Sequence, residues 1–184
     1  MAHMVETMAY AGELPWHGLG TKVSENISVD DMMKEAGLDW EVQKVPAYAE
    51  LNGEKIHSGH DMLIRTSDNT ALDMVSGNWN PVQNIEAFEF FDDFVRSGDM
   101  QMHTAGSLKG GQIVWGLAKV NDSFELFGGD KVDSYLLFTN PHRFGQSIDV
   151  RFTPIRVVCN NTLTLSFLPG FLLTITGVCL TGSF

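Results

Sequence analysis

Hydrophobic and polar positions along the chain follow two periods, and each period predicts one kind of element. In residues 28–37 the apolar positions lie one to four residues apart on one helical face: Val29, Met32, Met33 and Ala36. This spacing predicts an amphipathic helix, with Ser28 as its N-cap and Gly37 just beyond its last turn. Residues 84–96 carry phenylalanines on one helical face and acidic residues on the other, which predicts a second, longer helix.

A period of two, which is typical of strands, accounts for most of the remaining chain. Before the second helix it predicts three strands, at residues 40–51, 62–65 and 70–76. Asn52-Gly53 is a strong hairpin signal, and we expect the polar residues 54–61 to form a looser loop. Beyond the second helix the predicted strands are residues 102–108, 112–120, 124–127, 133–139, 147–152 and 155–159.

These elements together predict an α+β fold. Its core would be an antiparallel β-meander followed by a helix, a β-β-β-α succession, with two main helices in all and a strand-rich C-terminal half. A length of 184 residues suits one domain. We place that domain at residues 5–184, because residues 1–4 look like an expression scar. No basic region followed by an apolar run opens the chain, so we expect no signal peptide.

The C-terminal end of the sequence is uncharged from residue 157 to residue 184. Residues 164–184 form an apolar tail, which we interpret as a truncated core element or as an oligomer contact. A single membrane helix is disfavoured, since Pro169-Gly170 would interrupt the span.

Charge is distributed unevenly along the chain. The formal net charge of −11 opposes non-specific attraction to nucleic acid or to an anionic membrane. Residues 1–130 contain 8 Lys and Arg against 21 Asp and Glu, whereas residues 131–156 contain 4 against 2. This asymmetry predicts one cationic face on an acidic body. Its members would be Lys131, Arg143, Arg151 and Arg156.

No set of residues in the sequence can be recognised as the catalytic group of a known type of reaction. His57 and His60 lie close together beside Asp61, but two histidines and one carboxylate fall short of a zinc site, and we interpret them as part of a solvated loop. The acidic face of the second helix is interpreted as solvated rather than catalytic. We therefore expect no enzymatic activity, no metal and no cofactor. Cys159 and Cys179 are expected to be free thiols rather than a disulfide.

Three segments carry a resemblance to a known family. They are residues 15–20 (PWHGLG), residues 79–84 (WNPVQN) and residues 135–163, whose end RFTPIRVVCNNTL is the most specific part. Together they resemble the phage/plasmid-like family of unknown function 932, over residues 14–165. The turn His142-Arg143-Phe144-Gly145 departs from the His-Asp-Gly type of sequence that family members often have.

The family supplies no activity, but the β-β-β-α succession resembles the core of RAD-type single-strand annealing proteins of phages. This analogy implies a non-catalytic protein that binds and anneals single-stranded DNA in recombination. It would act as a homo-oligomer in the cytoplasm of a bacterial host. Such proteins hold the phosphate backbone in a cationic groove, for which Lys131, Arg143, Arg151 and Arg156 are the candidates. Arg143, in the predicted turn, is the best candidate for ligand contact, whereas Arg151 and Arg156 could instead form structural salt bridges.

Two other classes of function stay open from the sequence. One is a structural or protein-interaction module, such as an assembly protein or an inhibitor, that uses the apolar tail as its contact surface. The other is an enzyme, although the histidines are scattered and no nucleophile, base and orienting group can be recognised together.

Overall fold

The computed structural model describes residues 4–121, 124–125, 131–168 and 173–174 of the chain. Three helices lie among these residues: α1 (Val29–Glu35), α2 (Asn84–Arg96) and α3 (Asn160–Ser166). The strands are β1 (Val5–Tyr10), β2 (Thr21–Lys22), β3 (Val42–Leu51), β4 (Glu54–Arg65), β5 (Thr70–Val75), β6 (Met100–Leu108), β7 (Ile113–Val120), β8 (Phe124–Glu125), β9 (Lys131–Val132), β10 (Tyr135–Pro141), β11 (Asp149–Thr153) and β12 (Leu173–Thr174). The fold is thus mixed α+β and consists mostly of strands, as predicted.

A seven-stranded sheet organises the molecule, in the order β12-β11-β10-β7-β6-β1-β2. Its neighbouring strands are antiparallel except for the pair β1 and β2. β10 is buried along its whole length, because apolar groups cover both faces of the sheet at this point. Strand β1, which was not predicted, lies inside this sheet rather than at its edge.

The two faces of the large sheet bury separate apolar clusters. Leu136 and Phe138 of β10 point into a cluster that also contains side chains of α1 and α2. Leu137, between them, points into the opposite cluster, where Val158 and Leu163 cover the sheet. This alternation follows from the period of two along a strand. The segment that leads into α3 therefore closes one face of the core.

A second sheet contains the predicted three-strand meander, in the order β3-β4-β5. Asn52 and Gly53 connect β3 to β4 with positive φ angles of 53° and 82°, as the Asn-Gly pair predicts. The expectation of a loop at residues 54–61 was wrong, because β4 already begins at Glu54. A bulge around residues 58–60 interrupts its pairing with β3, and residues 48–60 are exposed without interruption. We call residues 48–60 the arm.

The predicted helices are confirmed more closely than the predicted strands. α2 has the predicted bounds, and α1 begins after Ser28, whose side chain accepts a hydrogen bond from the backbone N–H of Asp31. The strand predicted at residues 155–159 is wrong. The backbone N–H groups of Val158 and Cys159 donate to Thr162 Oγ1 at 3.0 Å, and the chain continues into α3. Residues 155–159 resemble a strand in sequence because they form an apolar run. That run is apolar because the structure largely buries it, not because its backbone pairs with another strand.

Candidate functional site

Arg151, one of the four predicted cations, is a structural residue in β11. It is buried, and its guanidinium forms an ion pair with Asp149. The same guanidinium lies over the ring of Phe167 at 3.9 Å from the centroid, and Nη1 donates to the carbonyl of Ser166 at 3.3 Å. These contacts tie α3 to β11, so the donors of Arg151 are engaged inside the protein.

Arg156 holds a loop in place from the segment after β11. Its Nη2 donates to the backbone carbonyls of Ala11 at 3.2 Å and Glu13 at 2.6 Å, and its Nε donates to Nδ1 of His103 at 3.3 Å. Among the residues that the structure describes, no carboxylate forms an ion pair with it. Within the described part of the chain, its hydrogen-bond acceptors are therefore all neutral.

Arg143 lies in the turn after β10, as predicted, and is half-buried. Within the described part of the chain its guanidinium has neither a hydrogen bond nor an ion pair. The next residue, Phe144, is 58% exposed, and its backbone N–H donates to Asp73 Oδ2 at 2.9 Å. Arg143, which has no partner among the described residues, and the exposed ring of Phe144 are thus neighbours on a turn that the hydrogen bond to Asp73 holds in place.

The predicted cations are not all brought together. Arg156 lies near the beginning of β10 and Arg143 follows its end, so the seven-residue strand separates them by roughly 20 Å. The backbone of Lys131 belongs to β9, opposite Glu125, and its side chain lies outside the described structure.

A cleft of about 580 Å³ lies at one end of the large sheet, where β1 ends, β6 begins, β7 ends and β10 begins. We call it the end cleft. It is lined by Ala11, Gly12, Glu13, Glu25, Gln101, Met102, His103, Lys119, Val120, Asn121, Asp133, Tyr135 and Arg156. Its volume is in the range of small-molecule sites.

His103 projects into the end cleft from a β-bulge. Met102 pairs with Ala118 and Thr104 with Leu117, so His103 is an extra residue without a partner on β7. Bulges redirect a side chain and are frequent next to functional sites. Burial, followed by the nearby charges of Arg156 and Lys119, lowers the pKa of His103 to about 4. The imidazole is therefore neutral near pH 7.

The hydrogen bond from Arg156 fixes the tautomer of His103. Because Nδ1 accepts from the guanidinium, the single ring proton of the neutral imidazole is on Nε2. No described residue accepts a hydrogen bond from Nε2. Gly12 lies beside this nitrogen, and a Cβ there would come within 3.9 Å of it.

The end cleft also contains a salt bridge between Lys119 Nζ and Asp133 at 2.8 Å. The hydrogen bond with Asp133 raises the pKa of Lys119. Burial, with the charge of Asp133, raises the pKa of Tyr135, whose ring packs edge-on against His103 at 5.3 Å. Lys119 therefore stays charged and Tyr135 stays protonated. Among the described residues, no Ser, Thr or Cys lines the cleft.

Sequence reasoning singled out only Arg156 of this cleft. His103, Lys119 and Tyr135 were missed as a group because they come from three strands whose order in the sheet is not visible in a linear pattern. The only available signal was the interruption of the alternating pattern at His103, which a bulge explains.

Two segments that carry the family resemblance meet at His17. Its Nε2 donates to the carbonyl of Val158 at 2.9 Å, and its Nδ1 accepts from the backbone N–H of Leu19 at 3.1 Å. Both ring nitrogens are engaged, so His17 is not placed to act as a base toward the buried thiol of Cys159. Cys179 lies outside the described residues.

Neither a metal cluster nor a spanning helix is found in the described ranges. No group of three or more His, Cys, Asp or Glu side chains there could hold a metal ion. None of the described helices is both long enough and apolar enough to cross a membrane.

Comparison with known proteins gives one match. The model of the family described as "Domain of unknown function (DUF932)" matches residues 71–169, from β5 to just beyond α3. No curated protein and no solved structure matches the chain. The match contains the cleft residues His103, Lys119, Tyr135 and Arg156, and it covers more than half of the 184 residues. The chain therefore belongs to the DUF932 family.

Proposed function

We propose that this protein binds single-stranded DNA without catalysing a reaction on it, as a single-strand annealing protein does. The observation that carries the proposal is the pair formed by Arg143 and Phe144. Proteins that bind single strands combine cations, which contact phosphates, with aromatic rings on which bases stack. The turn after β10 presents one of each, and the guanidinium has no ion pair among the described residues. Lys131 remains a candidate for a further phosphate contact, whereas Arg151 is buried and Arg156 is held by two backbone carbonyls.

The proposal is tested with the Arg143→Gln variant and a fluorescent single-stranded oligonucleotide, by anisotropy across a salt series. Each phosphate contact to a single strand contributes about −0.7 to the slope of log K against log salt concentration. We expect the variant to bind more weakly and to show a slope that is shallower by about 0.7. Phe144→Ala should weaken binding by about 1–3 kcal/mol, the value of one stacked base, with an unchanged slope.

Arg96→Gln is the matched control. Arg96 is exposed and paired with Asp92 on α2, and its loss changes the net charge by the same amount. Equal losses of DNA affinity in Arg143→Gln and Arg96→Gln would show that the effect comes from the overall charge and not from a contact at Arg143. Absence of binding by the unaltered protein at about 50 mM salt, where phosphate contacts are strongest, would refute the proposal.

A second candidate is an interaction module that assembles with copies of itself, favoured by the exposure of the arm. Tyr48, Leu51 and Ile56 are 60%, 61% and 48% exposed on this hairpin. An isolated two-stranded hairpin is marginally stable in water, and exposed apolar side chains in one place indicate a contact surface. The apolar tail, expected to serve the same purpose, begins with residues 164–168 in and just after α3 and otherwise lies almost wholly outside the described residues.

Light scattering after size-exclusion chromatography tests this candidate. The double variant Leu51→Thr with Ile56→Thr should reduce an assembled particle to the 20.4 kDa of one chain. Met74→Thr is the control, since Met74 is 45% exposed outside the arm. A truncation after Thr174 tests the rest of the tail; it keeps β12 in the large sheet and spares Ser166 and Phe167, which contact Arg151. An unaltered protein that elutes as a single chain at every concentration would exclude self-assembly.

A further inference from the structure

The end cleft contains an arginine whose charge no described residue neutralises. Arg65 and Arg151 are also withdrawn from solvent, and each is paired with a carboxylate. Arg156 differs, since its acceptors are two backbone carbonyls and a neutral imidazole. These contacts use Nε and Nη2, which leaves Nη1 without a partner among the described residues. A partly buried cation without a counter-ion is a ready site for an anion.

We propose that the end cleft binds the carboxylate of a small zwitterionic acid, such as an amino acid, at Nη1 of Arg156, beside His103. The two side chains are in direct contact through Arg156 Nε and His103 Nδ1, which leaves Nη1, among the described residues, as the free donor of the guanidinium. Both are held before the ligand arrives, Arg156 by the carbonyls of Ala11 and Glu13, and His103 by its bulge.

The acidic residues of the same cleft define the rest of the ligand. Asp133 and Glu25 line it together with Lys119. Lys119 and Tyr135 already bond to Asp133, whereas Glu25 forms no ion pair among the described residues. These carboxylates repel a dianion such as phosphate and attract an ammonium group. A ligand that carries one negative and one positive group matches both the arginine and the carboxylates of the cleft, and a volume of about 580 Å³ accommodates a small molecule.

This site is separate from the DNA contact proposed at Arg143, which follows the far end of β10. The two proposals can therefore fail independently. If Arg143 proves not to contact DNA, the cleft can still bind its ligand. If the cleft binds no ligand, Arg143 can still contact DNA.

Histidine ring signals in the NMR spectrum of the full chain test the inference without a mutation. The probes are glycine, acetate and inorganic phosphate, added at constant ionic strength near pH 7. We expect a saturable shift of the His103 signals, with glycine binding more tightly than acetate and acetate more tightly than phosphate. His57 and His60 are exposed on the arm and serve as internal controls that should not move.

Variants separate recognition from folding. Arg156→Lys keeps the charge but loses the planar donor set, and it should weaken glycine binding by about tenfold, the effect of losing roughly 1.4 kcal/mol. Asp133→Asn should reduce the preference for glycine over acetate while acetate still binds. Arg143→Gln should bind glycine as the unaltered protein does.

Three outcomes would overturn the inference. The first is a His103 signal that none of the probes moves, or that drifts linearly together with His57 and His60. The second is tighter binding of phosphate than of glycine, which would show that the acidic residues of the cleft do not repel a dianion. The third is an unchanged preference for glycine in Asp133→Asn.

Discussion

His142 is buried in the core with a partner for one of its two ring nitrogens. The side-chain amide of Asn84 donates to the carbonyls of Leu38 and Trp40, so its oxygen accepts from His142 Nε2 at 2.9 Å. Nδ1 is buried and finds no partner among the described residues. Burial lowers the pKa of His142 to about 4. The ring is therefore held neutral at physiological pH.

This residue predicts a pH dependence of stability. Unfolded His142 takes up a proton below about pH 6.5, whereas the folded protein does so only near pH 4. Acid therefore favours the unfolded chain in this window, and stability falls as the pH decreases. The contribution of His142 between pH 7 and pH 5 is a loss of about 2 kcal/mol.

The measurement is the free energy of unfolding in urea at the two pH values. His142→Gln lacks the titrating group and should lose less stability on going to the lower pH, whatever its stability at pH 7. His103, whose pKa is also lowered, acts in the same direction and is unchanged in both proteins. An equal pH dependence of the two proteins would contradict the assignment to His142.

At the scale of elements, the pairing of β1 with β6 depends on the absence of one side chain. A Cβ at Gly106 would lie 2.4 Å from the backbone oxygen of Thr7 and 2.4 Å from the ring of Trp115. The first of these atoms belongs to a paired strand and cannot move alone. Gly106→Ala should therefore cost about 1–3 kcal/mol of stability, as overpacking usually does.

Denaturation in urea checks this value. Gly77→Ala is the control, because a Cβ at Gly77 would meet nothing closer than Asp61 Oδ2 at 4.0 Å. We expect that control to lie within about 0.5 kcal/mol of the unaltered protein, as a typical surface substitution does. A Gly106→Ala protein as stable as the control would show that β1 can shift away from β6.

The elements that the sequence predicted well are those whose signal is local. α2 has a long amphipathic period, and Asn52-Gly53 requires positive φ angles that only a few residues tolerate. The stretch 155–159 was misjudged because a buried apolar run has the same appearance whether its backbone pairs with a strand or with side chains. The decisive partner, Thr162, lies beyond the run itself.

At the scale of the whole molecule, the α+β class could be predicted, but the large sheet could not. Its order places strands from both ends of the described chain around β7 and β10, and no local pattern contains that information. The end cleft could not be predicted for the same reason, since it is formed by four strand ends that meet only after folding. Charge clustering along the sequence pointed to the arginines, yet the fold separates Arg143 from Arg156 and buries Arg151.

The position of β1 inside the large sheet has a consequence for how fast the protein folds. Thr7 of β1 and Ser107 of β6 share a hydrogen bond across a separation of 100 residues. The entropy of closing a loop of that size is lost before the paired strands gain any contact. Folds dominated by such distant pairings reach the native state slowly. Until β1 joins it, the edge of β6 stays open to other strands, and this interval is when chaperones would be most useful to the protein.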